Sequence, residues 1–153
     1  MSEATTTRVG YLIKRAQSVL HDAMADALGP SGLTVTQFAV LTALEEEPGL
    51  SNADLARRAF VTPQSMHAVL QELERRQLLV RRAHPQHRRV LRAELTEGGR
   101  RTLGEAADAV DAVEERMLAT LSEPARSRLA GALSSCVDAL TGAPPPSVGH
   151  RPR

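Results

Sequence analysis

Aromatic residues and cysteine are almost missing from this chain of 153 residues. It has no Trp, Tyr11 is its only tyrosine, and Phe38 and Phe60 are its two phenylalanines. A core must therefore be built from aliphatic side chains, which favours packed helices over a β-sandwich or barrel. The single cysteine, Cys136, excludes a disulfide within the chain and a four-cysteine zinc site. We expect Cys136 to be a buried structural thiol and not a redox switch.

Long apolar runs and an excess of one charge are missing as well. No stretch approaches the roughly 18 apolar residues of a membrane helix, and no charged-then-apolar leader opens the chain. We therefore expect a cytoplasmic protein without a membrane partner. The 19 basic and 18 acidic residues nearly cancel, so net charge does not address nucleic-acid binding. Lys14 is the only lysine. The arginine excess suits phosphate contacts, although a bias toward GC-rich codons explains it equally well.

Helical spacing of apolar residues predicts long helices at both ends. The first spans about 8–28, where Gly29 and Pro30 end it. Thr34 and Gln37 form a capping box for a second helix. A long helix and a last helix are expected within about 97–141. Three glycines fall in the first turns of that long helix, which we therefore expect to be irregular: Gly98, Gly99 and Gly104. Residues 143–153 are expected to form a disordered tail.

Two capping patterns in the middle of the chain predict a helix-turn-helix. Ser51 and Asp54 form a capping box for a short helix that ends near Arg58. Thr62 is a favourable N-cap for the next helix, with Pro63 at the first position, where a missing N–H costs nothing. Two short helices joined by a three-residue turn form a helix-turn-helix.

After Gln77 the pattern changes from helix to strand. Residues 78–82 lead into a polar segment, His84-Pro85-Gln86-His87, and apolar and polar residues then alternate from Val90 to Leu95. This pattern predicts a β-hairpin with a basic tip, that is, a wing. A metal site at His84 and His87 is not expected, since no acid or cysteine lies near them in sequence.

This order of elements, from about Val9 to Leu140, resembles the MarR family of bacterial transcriptional regulators. Four segments carry the resemblance: Ser51-Asn-Ala-Asp-Leu-Ala-Arg-Arg, Phe60-Val-Thr-Pro-Gln-Ser-Met, Leu73-Glu-Arg-Arg-Gln-Leu-Leu-Val-Arg, and a wing with Arg88-Arg89 that closes on Leu95-Thr96-Glu97-Gly98-Gly99. The resemblance implies a mainly α fold with a small β-hairpin in a single domain, 1–153. Its winged helix-turn-helix core would span about 33–95, between dimerisation helices at about 8–28 and 97–141.

Two positions depart from the family pattern. The family has glycine where this chain has Gln77, so this helix end is expected to close differently. The family wing reads Asp-x-Arg, whereas this chain has His87-Arg88-Arg89. A histidine there cannot neutralise the wing arginines. We expect DNA affinity to rise as the pH falls through the ordinary His87 pKa, because a phosphate favours the protonated ring.

The resemblance and the helix-turn-helix context indicate which residues contact DNA. If the apolar stripe of the helix that begins at Pro63 faces the core, the polar face of that helix can read bases in the major groove. Arginines of the wing suit the minor groove or the phosphates. The expected DNA-binding residues are Ser51, Thr62, Gln64, Ser65, His67, Ala68, Gln71, Arg81, Arg82, Arg88 and Arg89.

The function implied is a sequence-specific repressor that binds double-stranded DNA at a pseudo-palindromic operator as a homodimer. Relatives in the family bind small anionic or phenolic effectors, and Tyr11 and Arg15 are one turn apart where they could contact one. We find no arrangement typical of an enzyme and expect no cofactor or metal. The alternative is a winged helix that binds protein and not DNA, although the polar reading face argues against it.

Overall fold

The computed structural model describes residues 8–142. Those residues form six α-helices, three strands and one turn of 3-10 helix at Gly29–Ser31. In chain order the elements are α1 Val9–Leu28, α2 Val35–Glu46, β1 Leu50–Ser51, α3 Asn52–Arg58, α4 Pro63–Arg75, β2 Leu79–Ala83, β3 Leu91–Leu95, α5 Glu97–Leu118 and α6 Glu123–Thr141. The predicted mainly helical, winged architecture is confirmed, and the predicted tail, 143–153, lies outside the described residues.

The chain divides into two compact units, residues 1–114 and 115–153, at a point inside α5. Taken singly, no helix of residues 8–142 has both the length and the apolar character to cross a membrane. Val9–Ser31 and Val35–Glu46 satisfy those two criteria only as a pair, bent by 77°.

The core of the first unit is aliphatic, as the shortage of aromatic residues requires. Leucines from α2, α3, α4 and the sheet meet Met66 in one cluster, against which Phe38 packs only in part. Burial of such a side chain contributes roughly 1.5–3 kcal/mol. The least exposed large side chains are Leu28, Val40, Leu41, Leu44, Leu55, Met66, Leu70, Leu73 and Leu79.

The helix starts were predictable because their caps are local. Thr34 accepts a hydrogen bond from the Gln37 backbone, and the Gln37 side chain accepts one from the Thr34 N–H. Ser51 and Asp54 form the same reciprocal box at α3. Thr62 accepts from the Ser65 N–H at the start of α4, with Pro63 in the first turn. Each such cap contributes about 1 kcal/mol.

The sheet has one strand more than the predicted hairpin. β2 and β3 form the wing, but β3 also pairs with β1 on its other side, giving the order β1-β3-β2. Leu50 is opposite Ala93, and the Gly49 N–H donates to the Ala93 carbonyl over 2.9 Å. A two-residue strand leaves no alternation in the sequence, so the hairpin alone was expected.

Gln77 closes α4 in the geometry that the family builds with glycine, so the expectation of a different closure was wrong. Its φ is +60°, in the left-handed region. The Gln77 N–H donates to Glu74 O and the Leu78 N–H to Leu73 O, each over 2.9 Å, which completes a Schellman motif. Phe60 holds the equivalent position after α3, with φ +56° and 95% of its surface exposed. Neither residue has glycine's freedom there, so both positions are strained.

The expected irregular start of α5 was also wrong, because the helix is regular from Glu97. Thr96 accepts from the Gly99 N–H and donates to the Gln77 carbonyl. A Cβ on Gly99 would lie 1.9 Å from the Leu78 carbonyl oxygen, so this glycine permits close contact between α5 and the chain after α4.

The second unit leaves its apolar side chains uncovered within one chain. α6 buries none of its residues, and Leu129, Leu133 and Val137 are each more than 40% exposed. Cys136 lies on this helix and is exposed, so the expectation of a buried thiol was wrong. These apolar residues lie at helical spacing and form a stripe along α6, but no other element of the second unit covers that stripe. Within the unit, Arg126 pairs with Glu115 at 3.0 Å.

Candidate nucleic-acid interface

Helix α4 buries one stripe and exposes a polar face. Met66, Leu70 and Leu73 are buried against the core. Five side chains on the remaining surface are all exposed: Gln64, Ser65, His67, Ala68 and Gln71. An exposed helix face with two glutamines and a serine presents the donors and acceptors that pair with base edges in a major groove.

The N-terminus of α4 is held by residues from both helices of the helix-turn-helix. Thr62 caps the helix and its hydroxyl also donates to Ser65 Oγ over 3.0 Å. Asn52, which opens α3, donates from Nδ2 to the Pro63 carbonyl over 3.1 Å. Its Oδ1 is buried and has no hydrogen-bond partner among residues 8–142. Sequence reasoning missed Asn52, because nothing local shows that it contacts a residue eleven positions away.

Arginines of α3, α4, α5 and β2 in the first unit are largely neutralised by carboxylates. Two of the ion pairs explain why the end of α2 is acidic, since Glu45 and Glu47 each bind an arginine of another helix. Arg76, at the end of α4, instead donates to the Gly32 carbonyl over 2.8 Å. The ion pairs are Arg57–Asp54, Arg58–Glu47, Arg75–Glu72, Arg81–Glu74 and Arg100–Glu45.

Two residues predicted to contact DNA, Arg81 and Ser51, already form hydrogen bonds with neighbouring acidic residues. Arg81 is only 15% exposed and binds Glu74 of α4, so its guanidinium holds the wing to the helix. The Ser51 hydroxyl donates to Asp54 Oδ2 over 2.6 Å and accepts from the Asp54 N–H. The hydrogen bonds that the Ser51 hydroxyl and the Ser51 N–H donate to Asp54 Oδ2, followed by the charge of Arg57, lower the pKa of Asp54. Both side chains are thereby occupied in holding the fold.

The wing, in contrast, carries uncompensated positive charge. Within residues 8–142 none of its four exposed arginines forms an ion pair within 4.0 Å: Arg82, Arg88, Arg89 and Arg92. Arg88 and Arg89 occupy the centre of a turn that the Val90 N–H closes on the His87 carbonyl over 2.8 Å. They therefore stand at the tip, where an arginine can enter a minor groove.

His84 organises the rest of the tip. Its Nδ1 accepts hydrogen bonds from the Gln86 and His87 backbone N–H groups over 3.0 and 3.2 Å. Partial desolvation, with repulsion from Arg92 and His87, lowers the pKa of His84. No group of three histidine, cysteine or acidic side chains in the described part of the chain is arranged to hold a metal ion.

Comparisons with known proteins show which protein family the chain belongs to. The MarR family's sequence profile matches residues 31–90. The chain is 42% identical over 124 residues to the HTH-type transcriptional repressor Rv2887 of Mycobacterium tuberculosis (strain ATCC 25618 / H37Rv), covering 81% of this chain and 89% of that protein.

The chain belongs to the MarR family. It is similar to the transcriptional repressor CouR bound to a 23-mer DNA duplex, with a TM-score of 0.81, 31% identity, and 88% and 96% of the two chains covered. It is also similar to Mycobacterium tuberculosis MarR family protein Rv2887 in complex with salicylic acid, with a TM-score of 0.70, 39% identity, and 85% and 96% covered. The chain is thus a DNA-binding transcriptional regulator with a winged helix-turn-helix.

One departure from the MarR pattern has a structural counterpart at the wing. His87 stands where the MarR pattern has an acid, and Arg88 and Arg89 beside it form no ion pair in the described residues. Sequence reasoning also left Arg92 out of the site, although the alternation of β3 placed it on the outer face. Its exposure and its lack of a partner become visible only in the structure.

A cavity of about 510 Å³ opens in the first unit of this MarR chain. It is lined by His21 and Ala25 of α1, by residues 33–36 and by Val69 of α4. His21 forms no ion pair in the part of the chain that the structure describes. Tyr11 and Arg15, the predicted effector residues, do not line this cavity.

Proposed function

We propose that this MarR protein is a repressor that binds a pseudo-palindromic operator as a homodimer. The observation that carries the proposal is the exposed polar face of α4 beside a wing whose four exposed arginines have no carboxylate partner within residues 8–142. Two recognition helices about 34 Å apart would each read one half-site across one DNA turn. The CouR complex with a 23-mer duplex supports DNA as the partner.

The contacts that we propose fall into two classes. Gln64, Ser65, His67, Ala68 and Gln71 face the bases. Arg82, Arg88 and Arg89, with Thr62 at the helix start, contact the backbone or the minor groove, which sets register more than sequence. Ser51 and Arg81 act from behind this surface, since their hydrogen bonds already hold α3 and the wing.

The homodimer is supported by the apolar side chains that a single chain leaves exposed. In α1, Val9 is 66% and Val19 62% exposed, and in α6 the leucine stripe is uncovered. Exposed apolar patches of this kind mark interaction sites in soluble proteins. We propose one MarR-like domain over 1–153 whose end helices, α1, α5 and α6, form the dimer interface.

We further propose that the cavity beside α1 takes a small aromatic anion, which releases the repressor from DNA. Its walls combine apolar Ala25, Leu33 and Val69 with the imidazole of His21. An imidazole N–H of His21 can donate a hydrogen bond to a carboxylate, and Val69 links the cavity to the recognition helix. Rv2887 in complex with salicylic acid supports this ligand class. Tyr11 and Arg15 stay a second candidate position for an effector.

A regulator of this kind works at the chromosome, so we propose a cytoplasmic protein without catalytic activity. The family and the repressor to which the chain is similar support regulation over catalysis. The alternative, a winged helix that binds protein only, is disfavoured by the polar α4 face, because a protein-binding face is more often apolar.

A gel shift with the DNA upstream of its own gene tests this proposal. We expect a discrete complex that a specific duplex competes away and a scrambled duplex does not. Sedimentation of the free protein at micromolar concentration should show a dimer. A monomer, or binding that ignores sequence at physiological salt, would contradict the proposed function.

A further inference from the structure

Two arginines face each other across the strands of the wing. The register of β2 and β3 sets Arg82 opposite Arg92, and the register of β1 and β3 sets Ser51 on the other side of Arg92. Residues directly opposite in antiparallel strands lie on one face, with Cβ atoms about 4.5–5.5 Å apart. Like charges at that separation destabilise a sheet.

No carboxylate among the described residues forms an ion pair with either arginine. Neither Arg82 nor Arg92 has an ion-pair partner within 4.0 Å, and both side chains are exposed. Glu94 shares the face but lies opposite Val80 and forms no such pair. The face therefore carries two guanidinium groups that an anion could bridge.

The Arg92 side chain packs beside Gly49. This glycine immediately precedes β1 and has φ +84°, a conformation that favours glycine. A Cβ there would be 3.6 Å from Arg92 Cδ and 3.9 Å from its Nη1. The Arg92 side chain thus lies across the backbone that enters β1, on the outer face of the sheet.

We propose that Arg82 and Arg92 together bind one phosphate group, a backbone phosphodiester of the DNA that α4 reads. This site rests on the proposed function and adds Arg92 to the predicted contacts. A phosphate between the two guanidinium groups replaces their repulsion with charge-assisted hydrogen bonds. The wing then holds DNA at two places, by Arg88 and Arg89 at its tip and by this pair along its strands.

Neutral methylphosphonates placed one at a time in the operator duplex locate the phosphate. The duplex is first found by selection with the parent protein. At one phosphate of each half-site, the substitution should weaken the parent about tenfold or more, the usual contribution of a hydrogen bond to a charged group. In Arg92→Gln the same substitution should have a much smaller effect, because only Arg82 then faces the phosphate. Arg75→Gln, which changes an exposed arginine already paired with Glu72, should keep the parent profile.

The outcomes separate this site from the function on which it rests. If the parent selects no duplex, the proposed function fails. If Arg92→Gln binds with the parent's full methylphosphonate profile, this phosphate site is wrong and the function stands. Without DNA, Arg92→Gln should melt at or above the parent's Tm, because a repulsion is removed. Inorganic phosphate, compared with chloride at equal ionic strength, should not change that difference. A phosphate-specific rise in Tm that Arg92→Gln abolishes would assign the site to free phosphate.

Discussion

The guanidinium of Arg81 on β2 donates two hydrogen bonds to Glu74 Oε2 on the recognition helix, from Nε over 3.0 Å and from Nη2 over 2.8 Å. Both bonds go to one oxygen, and the arginine side chain is only 15% exposed. The pair joins the two parts of the protein that are proposed to contact DNA. Its role is therefore to fix the angle between wing and helix.

Removing either partner should loosen the wing. Glu74→Ala and Arg81→Ala should each lower the free energy of unfolding by about 1–3 kcal/mol, because each leaves a partly buried charged group unpaired. DNA affinity should fall as well, and the double variant should be no worse than either single variant. DNA affinity measured over a range of salt concentrations distinguishes a structural role of Arg81 from a direct phosphate contact. If Arg81→Ala lowers the salt slope even in the Glu74→Ala background, Arg81 contacts a phosphate directly.

Gly99 should be the least replaceable glycine of α5. Gly99→Ala places a Cβ 1.9 Å from the Leu78 carbonyl oxygen, so backbone must move. We expect a loss of about 3 kcal/mol in denaturant unfolding, as for overpacking elsewhere. Gly104→Ala is the matched control, since nothing lies within 4 Å of its Cβ position. In a helix interior that change should stabilise by about 0.5–1 kcal/mol. Equal effects at both positions would show that the contact with Leu78 is not restrictive.

Gln77→Gly should stabilise the protein. The residue holds φ +60° in the Schellman closure of α4, where an L side chain costs roughly 1 kcal/mol or more. Glycine should therefore raise the free energy of unfolding by about 1 kcal/mol, whereas Gln77→Ala keeps the strain and should gain nothing. Urea titrations of the three proteins measure the difference. A gain with alanine equal to that with glycine would place its origin in side-chain contacts.

The wing tip should loosen in acid because of His84. Its pKa is lowered by partial desolvation and by Arg92 and His87, so the folded tip favours the neutral ring. That contribution to stability is present above the ordinary value of 6.5 and is lost as the pH falls below it, through the lowered pKa. Protonated Nδ1 can no longer accept from Gln86 and His87. Intrinsic amide exchange slows in acid, so the readout is the protection factor of those two amides. It should fall across this range, and unchanged protection would exclude the effect.

His87 should be replaceable by a neutral side chain but not by an acid. His87→Asp places a negative charge beside Arg88 and Arg89 at the wing tip, which is proposed to contact DNA, so it should weaken binding to operator and scrambled duplexes alike. His87→Ala, which adds no charge, is the matched control. If His87→Asp binds as tightly as the parent, the wing tip does not approach a phosphate.

The parts of this molecule that local sequence determines were predictable, and those set by distant contacts were not. Capping boxes at Thr34 and Ser51 gave the helix starts because the partners lie three residues apart. The exposed face of α4 followed from helical periodicity. The pairing of Arg81 with Glu74 and the third strand, β1, join residues whose contact no spacing rule reveals.

Glycines were misjudged for the same reason. A glycine at position 99 weakens an isolated helix, yet the close approach of the Leu78 backbone leaves no room for a side chain there. Cys136 looked like a core residue because its helix carries apolar residues at core spacing. The same spacing describes a helix face that a single chain leaves exposed.

The central claim is that α4 reads sequence while the wing arginines supply general affinity. The most direct test is competition between the selected operator and a scrambled duplex for the parent, for Gln64→Ala/Ser65→Ala/Gln71→Ala, and for Arg89→Ala. The triple variant should lose about 1–3 kcal/mol of discrimination for each bidentate base contact removed and keep its affinity for scrambled DNA. Arg89→Ala should weaken binding to both duplexes alike. A triple variant that prefers the operator as strongly as the parent would contradict the account.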